Sequence, residues 1–371
     1  MMFMNVRLPI ICCCAAMFYL LCGSSAHAEL LVIPSDNGYT TPSVLRFDER
    51  TGTFIDQFGQ ESEGYEGMAQ GPDNKIYVTG NTLGSGDVYR FNRNGQYLGP
   101  FTGAGLQTPG GLTFGPDTNC YVLCSNWPQS PSVQQVWRYN GLTGAFMDKF
   151  ILDAGAPRAL LFGPDDLLYV SDGNRGIVRY GSTGALLDTF VPLGRGGLRD
   201  AQTFLFGPDG NLYLASLISN AVARFSGTNG MFLDYVVAPG SGGLSQPGGL
   251  AFGPDGNLYV SSTATHQILR FHGRTGAFLD VFAMHPALKY PTSLTFIPPL
   301  PRLAVKHAGQ KVEISWPSSS PPQDWTLVSR KNIDPPGVWN IVTNGLAIVG
   351  TNCVVTDRCN GSSTLYRLAQ R

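Results

Sequence analysis

The chain has 371 residues, a net charge of −1 and only 14% charged residues. This length suits one large domain and a small one, and without clustered Lys and Arg the chain is not expected to bind a nucleic-acid backbone. The 46 glycines and 26 prolines favour a β-rich fold with many tight turns, because these residues punctuate strands rather than fill helices.

The first residues have the organisation of a secretory signal peptide. Arg7 supplies a positive charge, residues 8–22 form an apolar core, and Ala26 and Ala28 are the small residues that a signal peptidase reads. The apolar core is too short for a stable membrane span, and no later segment is apolar over a sufficient length. The sequence therefore predicts a signal peptide at residues 1–28, cleaved after Ala28, and a secreted, periplasmic or cell-surface protein.

The cysteines divide between this leader and the rest of the chain. Four of the eight lie in the leader: Cys12, Cys13, Cys14 and Cys22. Cys120 and Cys124 fall in one predicted strand about 13 Å apart, too far for a disulfide. Cys353 and Cys359 could bridge across a turn in an oxidising compartment. Pairs with the spacing of a structural zinc site are absent from the sequence.

A repeated segment dominates the sequence after the leader. Its clearest copy, Phe-Gly-Pro-Asp-Gly-Asn-Leu-Tyr-Val, occupies residues 252–260, and further copies begin at Gln70, Phe114, Phe162 and Phe206. The spacing of about 44–48 residues is typical of repeat architectures. A basic–aromatic pair recurs with it, at Arg46-Phe47, Arg90-Phe91, Arg138-Tyr139, Arg179-Tyr180, Arg224-Phe225 and Arg270-Phe271.

Each repeat is predicted to form four short strands. In the last complete copy they fall at residues 249–252, 257–261, 267–271 and 277–282. The Pro-Asp-Gly sequence sets a tight turn between the first two, because Pro fixes φ and Gly accepts the left-handed conformation. Four antiparallel strands at this period are the signature of a propeller blade.

The two ends of the repeat region complement each other. Strands at 30–33, 44–47 and 53–58 lack an innermost partner, whereas Ser293–Phe296 resembles an innermost strand with no hairpin after it. A ring in which this last strand completes the first blade has six blades and removes exposed sheet edges. The sequence therefore predicts an all-β fold, a six-bladed β-propeller at 29–298 whose first blade is shared between both ends.

The repeat also assigns structural roles to most acidic residues. One set occupies the Pro-Asp turns, where the side chain bonds to nearby backbone: Asp73, Asp117, Asp165, Asp209 and Asp255. A second set lies ten residues after the recurring Arg and predicts cross-strand pairs: Arg46–Asp56, Arg138–Asp148, Arg224–Asp234 and Arg270–Asp280. Asp188 falls at nine residues rather than ten, and Pro100 stands in place of the acid in the second blade.

The character of the sequence changes after residue 297. A proline-rich connector at 298–301 is stiff, and six short alternating strands follow in about 70 residues, which predicts a small fibronectin-like β-sandwich at 299–371. Three tryptophans are expected to furnish its core: Trp316, Trp325 and Trp339.

Two strings in the repeat resemble a known family. Tyr-Val-Ser-Asp-Gly-Asn-Arg-Gly-Ile-Val-Arg-Tyr, from Tyr169 to Tyr180, resembles an NHL repeat, and so does Leu258–Phe271. The resemblance covers about residues 30–297 and implies a propeller of the six-bladed TolB-like superfamily. That superfamily includes protein-binding scaffolds, gluconolactonase-type metal hydrolases and amidating lyases, and streptogramin lyases use a related repeat. The C-terminal Ile-Ser-Trp-Pro and Tyr-Arg-Leu are similar to a module of secreted verrucomicrobial-type proteins.

The resemblance implies where a ligand would bind. Gluconolactonase-type sites hold a calcium-like ion with carboxylate and amide oxygens at the central channel. The loops that join second to third strands, and outermost to next innermost strands, share one face, the loop-rich face. Its polar candidates are Asp36, Asn37, Glu66, Asn81, Asn126, Asp172, Asn174 and Asp200. Its aromatic candidates for stacking on a sugar or peptide are Tyr39, Tyr65 and Trp127, although tight loops also favour such residues for packing alone.

The sequence names no catalytic residue. The histidines after the leader, which the metal-binding relatives would need from several blades, are His266, His272, His285 and His307. A nucleophile elbow is also absent from the sequence. The leading hypothesis is an exported, non-catalytic propeller that binds a protein or glycan through the loop-rich face. The alternative is a metal-dependent lactonase, related hydrolase or lyase with its site at the central channel and Ca²⁺ as the candidate cofactor. Nucleic acid and a membrane span are not expected.

Overall fold

The structure, a computed structural model, consists almost entirely of β-strands. It describes residues 29–34, 43–59, 64–82, 85–103, 105–125, 134–198, 201–298, 304–308, 311–317, 325–331, 340–342, 346–349, 352–358 and 364–370. Three short 3-10 turns lie within these residues, at Arg195–Gly197, Ser241–Gly243 and Thr263–Thr265. The chain divides into two compact units, one of which spans residues 27–298 while the other includes residues 299–371.

The larger unit contains the strands of the repeat. In chain order they are β1 (Glu29–Pro34), β2 (Val44–Asp48), β3 (Phe54–Phe58), β4 (Gly64–Gln70), β5 (Ile76–Thr82), β6 (Ser85–Phe91), β7 (Tyr97–Pro100), β8 (Leu112–Phe114), β9 (Cys120–Ser125), β10 (Gln134–Tyr139), β11 (Phe146–Ile151), β12 (Pro157–Phe162), β13 (Leu168–Asp172), β14 (Gly176–Tyr180), β15 (Leu186–Pro192), β16 (Ala201–Phe206), β17 (Leu212–Ser216), β18 (Ala221–Phe225), β19 (Phe232–Val237), β20 (Pro247–Phe252), β21 (Leu258–Ser262), β22 (Gln267–Phe271), β23 (Phe278–Met284) and β24 (Pro291–Ile297).

These strands form six antiparallel sheets of four strands each, and each sheet is one blade. From the innermost strand outward the blades are β24-β1-β2-β3, β4 to β7, β8 to β11, β12 to β15, β16 to β19 and β20 to β23, numbered one to six. The innermost strands of consecutive blades pack side by side around the centre. The predicted fold class, an all-β six-bladed propeller, is confirmed.

The first blade is shared between the two ends of the propeller, as the sequence predicts. β24 pairs antiparallel with β1, so that Leu30 lies opposite Phe296 and Ile33 lies opposite Ser293. β24 also packs against β20 of the sixth blade and β4 of the second blade. This strand therefore closes the ring.

A buried tyrosine on the second strand of a blade contacts a phenylalanine on the innermost strand of the next blade. The pairs and their ring-centroid distances are Tyr77–Phe114 at 4.9 Å, Tyr121–Phe162 at 4.9 Å, Tyr169–Phe206 at 5.1 Å, Tyr213–Phe252 at 5.0 Å and Tyr259–Phe296 at 4.8 Å. All five are edge-to-face contacts, a geometry that aromatic rings favour. The last pair joins blade six to β24 and so lies at the ring closure.

The junction between blades one and two is built differently on both sides. Leu31 occupies the register position of the tyrosine, opposite Arg46, and Gln70 occupies the end of β4 where the other inner strands have Phe. An aliphatic and aromatic cluster that includes Leu31, Ile33 and Phe91 covers this junction instead. The two members of the aromatic contact are thus replaced together.

The same tyrosines anchor the turns of their own blades. Each hydroxyl donates a hydrogen bond to the Asp of the Pro-Asp turn, at 3.0 Å for Tyr77–Asp73, 2.9 Å for Tyr121–Asp117, 3.0 Å for Tyr169–Asp165, 3.1 Å for Tyr213–Asp209 and 3.0 Å for Tyr259–Asp255. The other carboxylate oxygen of each Asp accepts a backbone N–H two residues later. The predicted structural role of these acids is confirmed.

The predicted Arg–Asp pairs are all present. Arg46–Asp56, Arg138–Asp148, Arg224–Asp234 and Arg270–Asp280 lie directly opposite each other on the third and fourth strands, and each guanidinium bonds both carboxylate oxygens. In this geometry a bidentate pair locks the register of the outer hairpin.

Two blades depart from the ten-residue spacing because their outer turns are shorter by one residue. Tyr180 pairs with Leu186, whereas Phe225 pairs with Phe232. The shorter turn brings Asp188 opposite Arg179, with Nε at 2.8 Å from a carboxylate oxygen. The same shortening in blade two places Gly99 opposite Arg90. The expectation that Pro100 stands in place of the acid is therefore wrong by one residue.

The Pro-Asp turns adopt the left-handed conformation at their last position. Gly210 and Gly256 have φ of 75° and 74° there, as the sequence predicts. The position is held by Asn74, Thr118 and Asp166 in the other copies, at φ of 58°, 64° and 61°. For the β-branched Thr118 this conformation is strained, so the repeat imposes the turn even where its sequence is unfavourable.

The described residues of the second unit form seven strands: β25 (Ala304–Ala308), β26 (Lys311–Pro317), β27 (Trp325–Lys331), β28 (Asn340–Ile341), β29 (Leu346–Val349), β30 (Asn352–Arg358) and β31 (Thr364–Gln370). They form two sheets, ordered β25-β26-β30-β29 and β28-β27-β31. Trp316 is buried, as expected of a core residue, whereas Trp339 and the side chain of Trp325 lie outside the described residues. That the two sheets pack as a fibronectin-like sandwich stays a prediction.

The described cysteines are buried and are not bridged to one another. For Cys120 and Cys124 this agrees with the predicted distance between them. The pairing of Cys353 with Cys359, which lies outside the described residues, stays a prediction. Within the described ranges the structure has no helix long and apolar enough to span a membrane.

The ring closure can be tested by comparing two equivalent leucines. Leu294 on β24 and Leu250 on β20 are each only 6% exposed, so each Leu→Ala substitution removes a packed side chain and is expected to cost about 2–5 kcal/mol. Urea unfolding of the two variants should give similar losses. A much smaller loss for Leu294→Ala would contradict a closed ring, because a frayed terminal strand carries little packing energy.

Candidate functional site

The loop-rich ends of the six inner strands meet around the centre of the ring. One residue of each blade occupies the same place there, two positions before the recurring apolar residue of the inner strand. These residues form what we call the channel mouth: Glu66, Gly110, Arg158, Gln202, Gly248 and Thr292. Because they lie on or directly beside paired strands, their backbone positions are fixed by the blades rather than by loops.

A bulge at the start of the inner strand shapes the mouth. In blade four the register shifts between Pro157 and Leu160, so that Arg158 and Ala159 both lie opposite Ser171. The Ser171 hydroxyl accepts both of their N–H groups, at 3.0 and 2.8 Å. The extra residue of a bulge leaves the ladder and re-aims its side chain, and here a buried hydroxyl satisfies the backbone that the bulge frees.

The same hydroxyl recurs in two further blades. Thr79 accepts the N–H of Gly67 at 2.8 Å, and Ser261 accepts the N–H of Gly249 at 2.6 Å. The sequence reasoning missed these residues. Their signal is a Ser or Thr directly after the recurring Tyr-Val, at a place in the repeat where an apolar residue would otherwise continue the strand.

Glu66 is the carboxylate of the channel mouth. Its side chain is exposed and has no hydrogen-bond or ion-pair partner among the described residues. Desolvation nevertheless raises the pKa of the carboxyl, as expected for a group that water can reach but that protein atoms surround. Both observations fit a residue in a concave recess.

The next blade has no side chain at the equivalent position. Gly110 occupies it, and among the described residues a Cβ added there would contact only Leu123, at 3.7 Å. The described residues therefore leave space beside Glu66. The absence of side-chain bulk next to an accessible carboxylate is what a binding recess requires.

Arg158 supplies the opposite charge two blades further round. It is exposed and occupies the same place on its inner strand as Glu66 does. Thr292 adds a hydroxyl, which donates to the backbone oxygen of Ile33 at 3.4 Å. The mouth therefore combines a carboxylate, a guanidinium and positions without side chains, a set that suits a polar ligand.

Asp172 has a structural role beside this mouth. Its buried carboxylate accepts the backbone N–H groups of Asn174 at 2.8 Å and Ala156 at 3.4 Å, and it bonds the side chain of Arg175. Burial by itself raises the pKa of Asp172, but these hydrogen bonds outweigh it and the pKa is lowered. Asp172 thus ties the loop before β12 to the hairpin after β13, and its oxygens are already engaged.

The remaining predicted site residues fall into three groups. Asn174 is exposed next to Asp172, and Asn81 lies on β5 opposite Gly64 and Gly86, without a described side chain. Outside the described residues lie Asp36, Asn37, Asn126, Trp127, Asp200 and Tyr39. Tyr65 is buried against Tyr89 and Phe91, so of the two roles considered for it, packing and stacking on a ligand, the structure shows packing, in the junction between blades one and two.

The described histidines of the propeller contact their own surroundings. The Nδ1 of His266 accepts the backbone N–H of Tyr290 at 3.0 Å, and His285 stacks on Phe54 with ring centroids 4.0 Å apart. Within the described ranges, no group of three or more His, Cys, Asp and Glu side chains is arranged to hold a metal ion. Because several predicted ligands lie outside those ranges, calcium binding stays a prediction.

The fold defines a class of protein, the six-bladed β-propeller, and in this chain polar and glycine residues stand where the inner strands begin. No family model and no curated protein matches the sequence. A protein of unknown function from Bacteroides caccae is similar in structure, with 14% identity, a TM-score of 0.55, and 73% of this chain and 99% of that one covered.

Two further solved structures are similar. The nidogen/laminin complex has 16% identity and a TM-score of 0.53, with 73% of this chain and 98% of that one covered. A periplasmic gluconolactonase from Pseudomonas aeruginosa has 17% identity and a TM-score of 0.49, with 74% of this chain and 99% of that one covered. Likeness at such low identity shows the fold alone.

The desolvation of the Glu66 carboxyl leads to a prediction about how the stability of the protein depends on pH. Since the folded-state pKa is raised above the ordinary value of 4.5, ionised Glu66 opposes folding, and stability is lost as the pH rises through that pKa. Glu66→Gln is therefore expected to melt higher than the wild type at about pH 7, with the difference vanishing near about pH 3. Thermal melts across this range check it. A difference that does not change with pH would contradict a desolvated carboxylate.

Proposed function

We propose that this protein is an exported, non-catalytic β-propeller that binds a protein or a glycan through its loop-rich face, at the channel mouth. The observation that carries the proposal is the Glu66 carboxylate, which is exposed and has no partner among the described residues, beside the open space at Gly110. The recurring turn and strand aspartates of the repeat are engaged by tyrosines and arginines, whereas an acid without a partner among the described residues is available for a ligand.

The chemistry of the mouth supports recognition. Glu66 accepts hydrogen bonds from sugar hydroxyls or from a Lys or Arg of a protein, and Arg158 donates to carbonyl or carboxylate oxygens. Strand pairing and the Ser171 bulge fix the backbone beneath Arg158, so little ordering entropy is lost on binding. Among the described residues the mouth lacks a nucleophile and a base held within hydrogen-bond reach of each other.

The compartment and the family are part of the proposal. The leader at residues 1–28 supports export, which would present the loop-rich face to the periplasm, the cell surface or the medium. The Tyr169–Tyr180 string supports an NHL-type, TolB-like propeller. The second unit would then act as an accessory β-sandwich module.

One observation favours a second candidate, a metal-dependent lactonase, related hydrolase or lyase at the central channel. Desolvation raises the pKa of the Glu66 carboxyl, and carboxyl groups that act as general acids are shifted in the same direction. The oxygens of Asp36, Asn126 and Asp200, which lie outside the described residues, could complete a set of calcium ligands with it.

Binding at the mouth can be tested with a double variant. Glycans on an array and exported proteins of the producing organism serve as probes for the immobilised chain. Glu66→Gln combined with Arg158→Gln is expected to weaken the best ligand by about tenfold or more, because both charges of the recess are lost. Arg50→Gln, an exposed site on the opposite face, is the control. A ligand held equally by the double variant would contradict the proposal.

The second candidate makes an opposite prediction about calcium. A calcium site in the folded protein stabilises it by mass action, so the melting temperature would rise with Ca²⁺ and fall with a chelator. The binding propeller is expected to melt at the same temperature in both. A calcium-dependent shift that Glu66→Gln removes would favour the enzyme.

A further inference from the structure

The recurring arginine of the third strand is paired with an acid in five blades. The pairs are Arg46–Asp56, Arg138–Asp148, Arg179–Asp188, Arg224–Asp234 and Arg270–Asp280. In blade two the equivalent arginine, Arg90, lies opposite Gly99. The repeat therefore presents the same guanidinium six times but supplies its carboxylate only five times.

Arg90 also lacks the second acid that its counterparts approach. The turn aspartate lies 3.5–3.7 Å from the guanidinium in blades four, five and six, whereas in blade two this residue, Asp73, is bound by Lys75. The guanidinium of Arg90 lies over the ring of Phe101, 5.7 Å from its centroid. Its Nε is buried without a hydrogen-bond partner, an arrangement that costs free energy.

No side chain occupies the position opposite Arg90 on the outer strand. Gly99 has φ of 105°, and a Cβ added to it would meet no heavy atom of the described residues within 4 Å. β7 is the outermost strand of its blade, and Pro100 beside Gly99 is exposed. An oxygen-bearing group from outside the propeller therefore has space over Gly99, next to the guanidinium of Arg90.

We propose that Arg90 binds the acidic side chain of a partner protein, whose carboxylate takes the place of the missing aspartate. A guanidinium presents parallel N–H donors that match a carboxylate, and such bidentate bonds are among the strongest in proteins. The five intact pairs show the geometry that the partner would complete. This surface lies at the outer rim of blade two, so the proposal is independent of any ligand at the channel mouth.

Arginine side-chain NMR on the full chain tests this proposal. The Nε–H signals are observed with ¹⁵N-labelled arginine, and the signal of Arg90 is assigned by its absence in Arg90→Gln. The probe is the blocked peptide Gly-Gly-Asp-Gly-Gly, and its twin contains Asn in place of Asp. The Arg90 signal is expected to shift saturably with the Asp peptide, and the Asn peptide should bind about tenfold more weakly because a charged hydrogen bond is lost.

One variant refines the result. Arg179→Gln, which removes a guanidinium that already has its acid, should leave the response of Arg90 unchanged. If this variant does not fold, the comparison of Asp and Asn peptides on the wild type decides alone. Equal shifts with both peptides, or none with the Asp peptide, would overturn the proposal. Acetate that binds as tightly as the peptide would overturn the assignment to a protein partner.

Discussion

The edge-to-face contact between a tyrosine of one blade and a phenylalanine of the next is the interaction on which the propeller depends. A four-stranded sheet has two apolar faces, and neither can be covered from within the blade. Tyr213 makes two contacts. Its ring packs on Phe252 of the next blade, and its hydroxyl donates a hydrogen bond to Asp209 in the turn of its own blade. The same tyrosine therefore packs two blades together and holds a turn within one of them.

The acidic residues of the protein fall into two groups, those with a structural partner that recurs in the repeat and those without one. Turn acids such as Asp209 hold the tyrosines, strand acids such as Asp234 hold the arginines, and Asp172 ties two loops together. Against this background the carboxylate of Glu66 has no partner among the described residues, and neither has the buried Nε of Arg90. They differ in sign and in place, one at the centre of the ring and one at its rim, so they suit different ligands.

Much of the fold could be predicted because the repeat carries it. The turn sequence and the Arg–Asp spacing predict strands, register and ring closure from local pattern alone. Where the pattern changes by one residue, as in the shorter turns before Asp188 and Gly99, spacing no longer gives the register, and only the pairing shows which residue faces the arginine. The candidate site was harder to predict from the sequence. The desolvation of Glu66 and the space at Gly110 depend on how neighbouring blades pack. The sequence alone also does not show whether the ring of Tyr65 is buried or exposed.

The shared first blade determines the order in which the molecule can be completed. The side chains Leu30 to Ile33 on β1 are fully buried, yet the strand that covers their inner edge is made only at Pro291–Ile297, about 260 residues later. Until β24 pairs with it, β1 therefore keeps an open, apolar inner edge. Contacts of such long sequence separation are slow to form, and an unpaired edge invites aggregation. A chain cut before β24 would accordingly be expected to aggregate, because the inner edge of β1 stays unpaired.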